Sequence, residues 1–168
     1  MKYTLSCLML AIIMMTQAQK QITIENITDA TFSQKSVRSV NWMNDGRFYS
    51  ALSDNKVQKY DVTTGEMVEV LVDGDELDIR INDYNFSADE SQVLLLTERK
   101  SIYRRSFTAV YYVYNRSTKE SQKLSDGVQS YATFSPDGTK IAFTRDNNLF
   151  YKDLSSDNPM FQIKDQAG

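Results

Sequence analysis

The chain has 168 residues, of which 41% are hydrophobic, enough for one ordinary domain with its own core. Its 19 basic and 22 acidic side chains give a net charge of −3 without any basic stripe, so the sequence does not support nucleic-acid binding. Because the chain contains no histidine, it cannot by itself supply a Ser-His-Asp triad, a histidine general base or histidine metal ligands.

The first eighteen residues are typical of a secretory signal peptide. Lys2 provides a positive start, residues 5–15 are an apolar run too short to span a bilayer as a mature helix, and Ala18 is the small residue that a signal peptidase requires. We therefore expect cleavage after Ala18, an exported chain, and no membrane span in the mature protein; an uncleaved anchor is the alternative. Cys7 lies within the leader, so the mature chain is expected to lack both a disulfide and a thiolate nucleophile.

Residues 19–38 read as a polar lead-in segment, in which residues 23–31 could hold one turn of helix. From Ser39 onward, short alternating runs separated by turn residues predict β-strands. Those of the first repeat are Val40–Met43, Phe48–Leu52, Val57–Asp61 and Met67–Val72. The first two are joined by a tight turn at residues 44–46, of the kind that favours hairpins.

Two further repeats follow. The second has predicted strands at Tyr84–Phe86, Val93–Thr97, Phe107–Tyr114 and Ser121–Leu124. The third has predicted strands at Tyr131–Phe134, Lys140–Thr144 and Leu149–Asp153, and a strand and turn at 162–165. The run over residues 107–114 is apolar on both faces, which indicates a strand buried on both sides. The Ser135-Pro136-Asp137-Gly138 turn has a physical basis, since proline presets its own φ and glycine tolerates a positive φ.

The three repeats recur with a period in the forties. Trp42, Phe86 and Phe134 are separated by 44 and 48 residues, and the turn aspartates show the same separations. Four strands per unit at this period predict an all-β fold, a partial β-propeller over residues 39–168 with antiparallel blades at about 39–72, 84–125 and 130–165. Because a propeller closes with roughly four to eight blades, we expect these residues to be the amino-terminal part of a longer protein.

Two resemblances to known protein families make the prediction of function more specific. The run FSPDGTKIAF at residues 134–143 resembles the repeats of TolB-like and prolyl-oligopeptidase-type propellers. The run Ser101–Ala109, continuing through Tyr112–Tyr114, resembles more specifically a blade of the dipeptidyl peptidase IV family. Residues 37–46 and 131–152 resemble that family's first and third blades, so the likeness spans most of residues 22–165.

This resemblance implies an exported serine exopeptidase that releases X-Pro or X-Ala dipeptides from the free amino termini of peptides. In that family an eight-bladed propeller caps an α/β-hydrolase domain, and homodimers are common. Arg104, which follows Tyr103, matches the propeller arginine that helps to bind substrate, whereas Arg105 falls at a variable position. The resemblance places the catalytic triad outside this chain, which has no G-x-S-x-G motif, and it implies no cofactor.

Several alternatives stay open. Asp73, Asp75, Glu76 and Asp78 lack the spacing of an EF-hand loop, so a solvated loop between blades is preferred to a calcium site. The tyrosine-rich run at residues 111–114 fits core packing better than a ligand-stacking platform. Taken without the family, Arg104 would be read as a surface salt-bridge residue. The second hypothesis for the whole chain is a non-enzymatic, TolB-like periplasmic binding propeller.

Overall fold

The computed structural model describes residues 22–29, 31–32, 38–154 and 160–163, and the predicted signal peptide lies outside them. The chain divides into two units, residues 1–36 and 37–168. In the first unit, helix α1 spans Ile24–Thr28 and is capped reciprocally. The Thr23 hydroxyl accepts from the Asn26 N–H, and the Asn26 side chain accepts from the Thr23 N–H, each at 3.3 Å. The structure thus has a short helix within residues 23–31, where the sequence allowed one helical turn without predicting it.

The described part of the second unit consists of three four-stranded antiparallel sheets, which we call blades 1, 2 and 3. In each blade, neighbours in sequence are neighbours in the sheet, and the predicted four-stranded antiparallel blades are confirmed. Blade 1 contains β1 (Arg38–Trp42), β2 (Phe48–Ser53), β3 (Lys56–Asp61) and β4 (Met67–Asp73). Blade 2 contains β5 (Ile81–Phe86), β6 (Gln92–Ser101), β7 (Phe107–Asn115) and β8 (Glu120–Lys123). Blade 3 contains β9 (Ser130–Phe134), β10 (Lys140–Arg145), β11 (Asn148–Asp153) and β12 (Met160–Ile163).

Most predicted strands agree with the structure to within two residues, but blade 2 differs. Its first strand, β5, begins at Ile81 rather than Tyr84. Its second strand, β6, continues to Ser101, four residues beyond the predicted end at Thr97. The polar residues 98–101 lie beyond the predicted end of this strand, but pairing with β7 keeps them within β6.

The recurring turns owe their shape to the aspartate of each repeat. The Ser87 and Ser135 hydroxyls donate to the carboxylates of Asp89 and Asp137 respectively, two residues ahead. These and further hydrogen bonds to the same carboxylates lower the pKa of Asp89 and of Asp137 to about 2. Asp45, at the same place in blade 1, accepts instead from two backbone N–H groups. The turns predicted around these three aspartates are confirmed, and Gly138 has the positive φ, 71°, that its place in the turn predicted.

Blade 2 is buried on both faces because it lies between two apolar cores. In β6, Val93 and Leu95 belong to the core shared with blade 1, whereas Leu94 and Leu96 belong to the core shared with blade 3. The tyrosines of β7 divide in the same way. Tyr111 and Tyr114 are only 3% and 6% exposed, and burial raises the pKa of both hydroxyls. This confirms the core-packing interpretation of the tyrosine-rich run.

One asparagine joins blade 1 to the connection that leads into blade 2. The Asn55 side chain accepts from the Ile81 N–H at 2.8 Å and donates to the Ile79 carbonyl oxygen at 2.9 Å. Gly74 passes so close that a Cβ there would lie 2.7 Å from the Asn55 carbonyl oxygen, so only glycine fits without a shift of the backbone. Among the described residues, no helix is long and apolar enough to cross a membrane.

Candidate functional site

The hairpin formed by β6 and β7 extends past the rest of blade 2. Pairing of β5 with β6 stops at Ile81 opposite Thr97. Beyond this point β6 bulges, with Glu98 at φ 48°, and then pairs with β7 again at Lys100 opposite Thr108. A bulge of this kind re-aims the chain that follows it. The strand pairing therefore carries residues 98–108 clear of the four-stranded sheet, as a two-stranded projection.

Arg104 lies at the tip of this projection. The tip is closed by two N–H groups, those of Ile102 and Tyr103, which donate to the Ser106 carbonyl oxygen at 2.8 and 3.2 Å. All side chains from 102 to 105 are exposed, and Tyr103 is 78% exposed. Within the described ranges, no residue forms an ion pair or hydrogen bond with the Arg104 guanidinium. The N–H donors of this planar guanidinium group are therefore available to a carbonyl or carboxylate group of a bound molecule.

The base of the projection is anchored to blade 3, in contrast to its exposed tip. The Ser130 hydroxyl donates to the Phe107 carbonyl oxygen at 2.8 Å, and Ala109 exchanges two backbone hydrogen bonds with Gln129 at 2.8 and 2.9 Å. The Phe107 ring lies 6.2 Å from that of Tyr131. These contacts fix the orientation of the hairpin where it leaves the sheet.

An arginine stacks on the same anchor. The Arg99 guanidinium carbon lies 4.4 Å from the centre of the Phe107 ring, within the range of a cation–π contact. Arg99 also lines a cleft of about 410 Å³, together with Asn82, Thr97, Glu98, Tyr112 and residues 78–80. Of the four cations in the projection, Arg99 therefore lies against the Phe107 ring and Arg104 lies at the tip.

Sequence reasoning identified Arg104 but missed Arg99, Tyr131 and Gln129. Gln129 is 1% exposed, and its amide donates to the Gly127 carbonyl oxygen at 2.7 Å while its oxygen accepts from the Tyr111 N–H at 3.3 Å. It thereby holds the connection between blades 2 and 3 against the hairpin. A single glutamine in a short connection has no periodic signal, so no local pattern could have indicated this role.

Of the four acidic residues from 73 to 78, Asp75, Glu76 and Asp78 lie in the connection between blades 1 and 2, as the sequence predicted, whereas Asp73 is the last residue of β4. Asp73 pairs with Lys56, which lowers the pKa of the Asp73 carboxyl, and Asp75 accepts from the Asn55 side chain at 2.7 Å. In the described part of the chain, no three carboxylate, thiol or imidazole side chains converge in a way that could hold a metal ion. Two of the four carboxylates thus have structural partners.

Comparison with known proteins gives three findings. Residues 87–167 match the family described as the dipeptidyl peptidase IV (DPP IV) N-terminal region. The prolyl endopeptidase FAP of Homo sapiens is 30% identical over 147 residues, which are 86% of this chain and 19% of that protein. The crystal structure of Porphyromonas gingivalis dipeptidyl peptidase 4 superposes with a TM-score of 0.77 at 30% identity, covering 88% of this chain and 22% of that one. The chain thus spans about one fifth of the length of these relatives.

A fourth comparison concerns the fold alone. The structure of TolB from Acinetobacter baumannii matches with a TM-score of 0.51 at 19% identity, over 76% of this chain. That likeness confirms the predicted propeller-like architecture and gives no information about function.

Proposed function

Since the chain belongs to the dipeptidyl peptidase IV family, of whose N-terminal region it holds a part, we propose that it is the substrate-facing propeller portion of an exported serine dipeptidyl peptidase. In this proposal the chain binds and orients peptides that have a free amino terminus, and an α/β-hydrolase domain elsewhere in the whole protein supplies the catalytic triad. Dipeptides ending in proline or alanine are the expected products. Residues 39–168 would belong to its propeller and residues 1–18 to its leader.

The observation that carries this proposal is the Arg104 side chain at the tip of an anchored hairpin. Arginine keeps its charge at any physiological pH and presents its donors in a rigid plane, which suits a substrate carbonyl or a neighbouring carboxylate. The fixed base at Phe107 limits how far the tip can swing, so less entropy is lost when a peptide binds.

The first test is to read the coding DNA beyond the codon for Gly168. A frame that continues through further blades into a G-x-S-x-G motif and a later histidine supports the proposal. If the frame instead runs through further blades and ends without a hydrolase domain, the peptidase proposal fails and a non-enzymatic binding propeller replaces it. Amino-terminal sequencing of the exported protein should begin at Gln19 if the leader is cleaved as expected.

The second test uses the full-length enzyme and an adjacent arginine as the matched control. Arg104→Ala removes a charge-assisted hydrogen bond worth about 1.5–3 kcal/mol, so kcat/KM for an X-Pro substrate should fall roughly ten- to a hundredfold. Arg104→Lys should restore little, because an ammonium group cannot reproduce the planar fork. Arg105→Ala should leave kcat/KM within about twofold. Equal losses in the two alanine variants, or no loss in either, would refute the role given to Arg104.

A further inference from the structure

The first strand of each described blade contains a β-bulge, and in blade 3 this bulge holds a bulky residue. In β9 two residues, Tyr131 and Ala132, stand opposite Phe143 alone. Tyr131 has a φ of 57°, in the left-handed region, which is uncommon for a large side chain and costs free energy. Contacts made by the rest of the structure therefore hold Tyr131 in this conformation.

The bulge belongs to the repeat, but the tyrosine does not. At the matching position of blade 1, Ser39 has a φ of 51°, and in blade 2 the matching residue is Asp83. Both of these residues are short and polar. The repeat therefore needs no large ring at this position, and the ring of Tyr131 serves a contact that belongs to blade 3.

That contact is with the base of the hairpin formed by residues 98–108. The Tyr131 ring lies 6.2 Å from the Phe107 ring, and the planes of the two rings meet at 53°. Phe107 belongs to β7, and its ring also lies 4.4 Å from the guanidinium carbon of Arg99, which belongs to β6. The ring of Tyr131 is therefore linked, through Phe107, to both strands of the projection.

A small rotation at this contact is enlarged at the tip of the hairpin. Phe107 and Arg104 are three residues apart. At the strand rise of about 3.3 Å per residue the lever is at most about 10 Å long, so a rotation of about 10° moves the tip by up to about 2 Å. A displacement of about 1 Å is already enough to reduce the rate of an enzyme strongly.

We infer that Tyr131 is a positioning residue, which acts through Phe107 to fix the direction in which the hairpin presents Arg104. This inference rests on the proposed function, because it gives Tyr131 its role through the peptide-binding arginine. The hydrogen bonds made by Gln129 and Ser130 fix the point where the hairpin leaves the sheet. The ring contact limits rotation about that point, and the left-handed backbone of Tyr131 aims the ring at Phe107.

The test measures kcat/KM for an X-Pro substrate in the full-length enzyme. Tyr131→Ala should lower kcat/KM about three- to tenfold, whereas Tyr131→Phe, which keeps the ring, should stay within about twofold of the parent. In an Arg104→Ala background, Tyr131→Ala should change kcat/KM by less than about twofold, because the positioning acts through that arginine. The control is Tyr151→Ala, which removes a stacked ring elsewhere in blade 3 and should leave kcat/KM within about twofold in both backgrounds.

Stability separates positioning from a merely structural role. Tyr131→Gly removes the ring and also relieves the strained φ, so it should melt at a higher temperature than Tyr131→Ala while it loses as much kcat/KM. A loss of kcat/KM that follows the melting temperature across these variants would overturn the inference. Equal losses from Tyr131→Ala in the presence and absence of Arg104 would overturn it too.

Limited digestion with trypsin distinguishes a failure of this inference from a failure of the proposed function, since cleavage after Arg104 or Arg105 needs no peptidase activity. Without the ring contact, the hairpin of Tyr131→Ala should be cut at least about threefold faster than that of the parent or of Tyr151→Ala. If cleavage rises in this way but Arg104→Ala leaves kcat/KM unchanged, the binding role of Arg104 fails and the hold of Tyr131 on the hairpin stands. If Arg104→Ala lowers kcat/KM but Tyr131→Ala changes neither kcat/KM nor cleavage, the inference about Tyr131 fails alone.

Discussion

Removing one buried hydroxyl should show how strongly blades 1 and 2 are coupled. The Tyr84 hydroxyl, on β5, lies 2.7 Å from both the Ser39 carbonyl oxygen and the Ser50 hydroxyl, on β1 and β2. Tyr84 is 1% exposed and Ser50 is fully buried. Tyr84→Phe keeps the ring in its core position and removes only the polar contact between blades. The substitution therefore isolates hydrogen bonding from packing.

The expected loss is about 1–3 kcal/mol in the free energy of unfolding. One net hydrogen bond contributes about 1 kcal/mol, and a buried acceptor left without its donor adds a desolvation cost of similar size. Ser50 keeps a second contact, to the Asn41 carbonyl oxygen at 3.3 Å, which limits that cost. A double-mutant cycle with Ser50→Ala should give a coupling energy of at least about 0.5 kcal/mol, because the two hydroxyls are in direct contact.

The assay is urea unfolding followed by far-UV circular dichroism, at one fixed protein concentration for all variants. Tyr60→Phe is the matched control. Its hydroxyl contacts the Gln58 side chain at 2.5 Å on a partly exposed face, so its loss should cost less than about 0.5 kcal/mol. Equal effects of the two tyrosine substitutions, or strict additivity with Ser50→Ala, would refute the idea that this hydroxyl couples the blades.

Three further predictions follow from burial and charge. Leu95→Ala should cost about 2–5 kcal/mol in urea unfolding because Leu95 is fully buried between blades 1 and 2, whereas Val70→Ala, at a side chain 41% exposed, should cost far less. The folded-state pKa of Asp89 and Asp137 is about 2, below the ordinary 3.8, so their contribution to stability is present above pH 3.8 and is lost as pH falls toward 2. Replacing both with asparagine should flatten the measured dependence of unfolding free energy on pH in that range, and an unchanged slope would contradict the assignment. Burial lowers the pKa of Lys152 below 10.5, so the folded state disfavours the charged ammonium group. The free energy of unfolding of the parent chain, relative to that of Lys152→Met, should therefore rise as pH approaches 10.5. A difference between the two chains that does not change with pH would contradict the lowered pKa.

Much of this fold could be predicted from local sequence, because each element depends on chemistry within a few residues. Alternating apolar positions such as Ile141 and Phe143 specify strands, and the turn aspartates Asp89 and Asp137 accept hydrogen bonds from hydroxyls two residues away. The repeat of these local signals then gave three four-stranded blades. The specific run around Arg104 indicated the family, which the comparisons confirm. The binding role of Arg104 stays a prediction.

The sequence did not indicate the features that depend on contacts between different segments of the chain. Lys152 reads as a polar strand residue, yet it is 6% exposed and its ammonium group lies 3.2 Å from the Leu124 carbonyl oxygen of blade 2. The continuation of β6 beyond Thr97 and the stacking of Arg99 on Phe107 likewise depend on a partner strand. Such contacts produce no repeating pattern in the sequence, because each one joins two single residues at a separation that only the folded structure determines. Strands and turns were therefore encoded locally, whereas the anchored hairpin was decided only by how the blades pack.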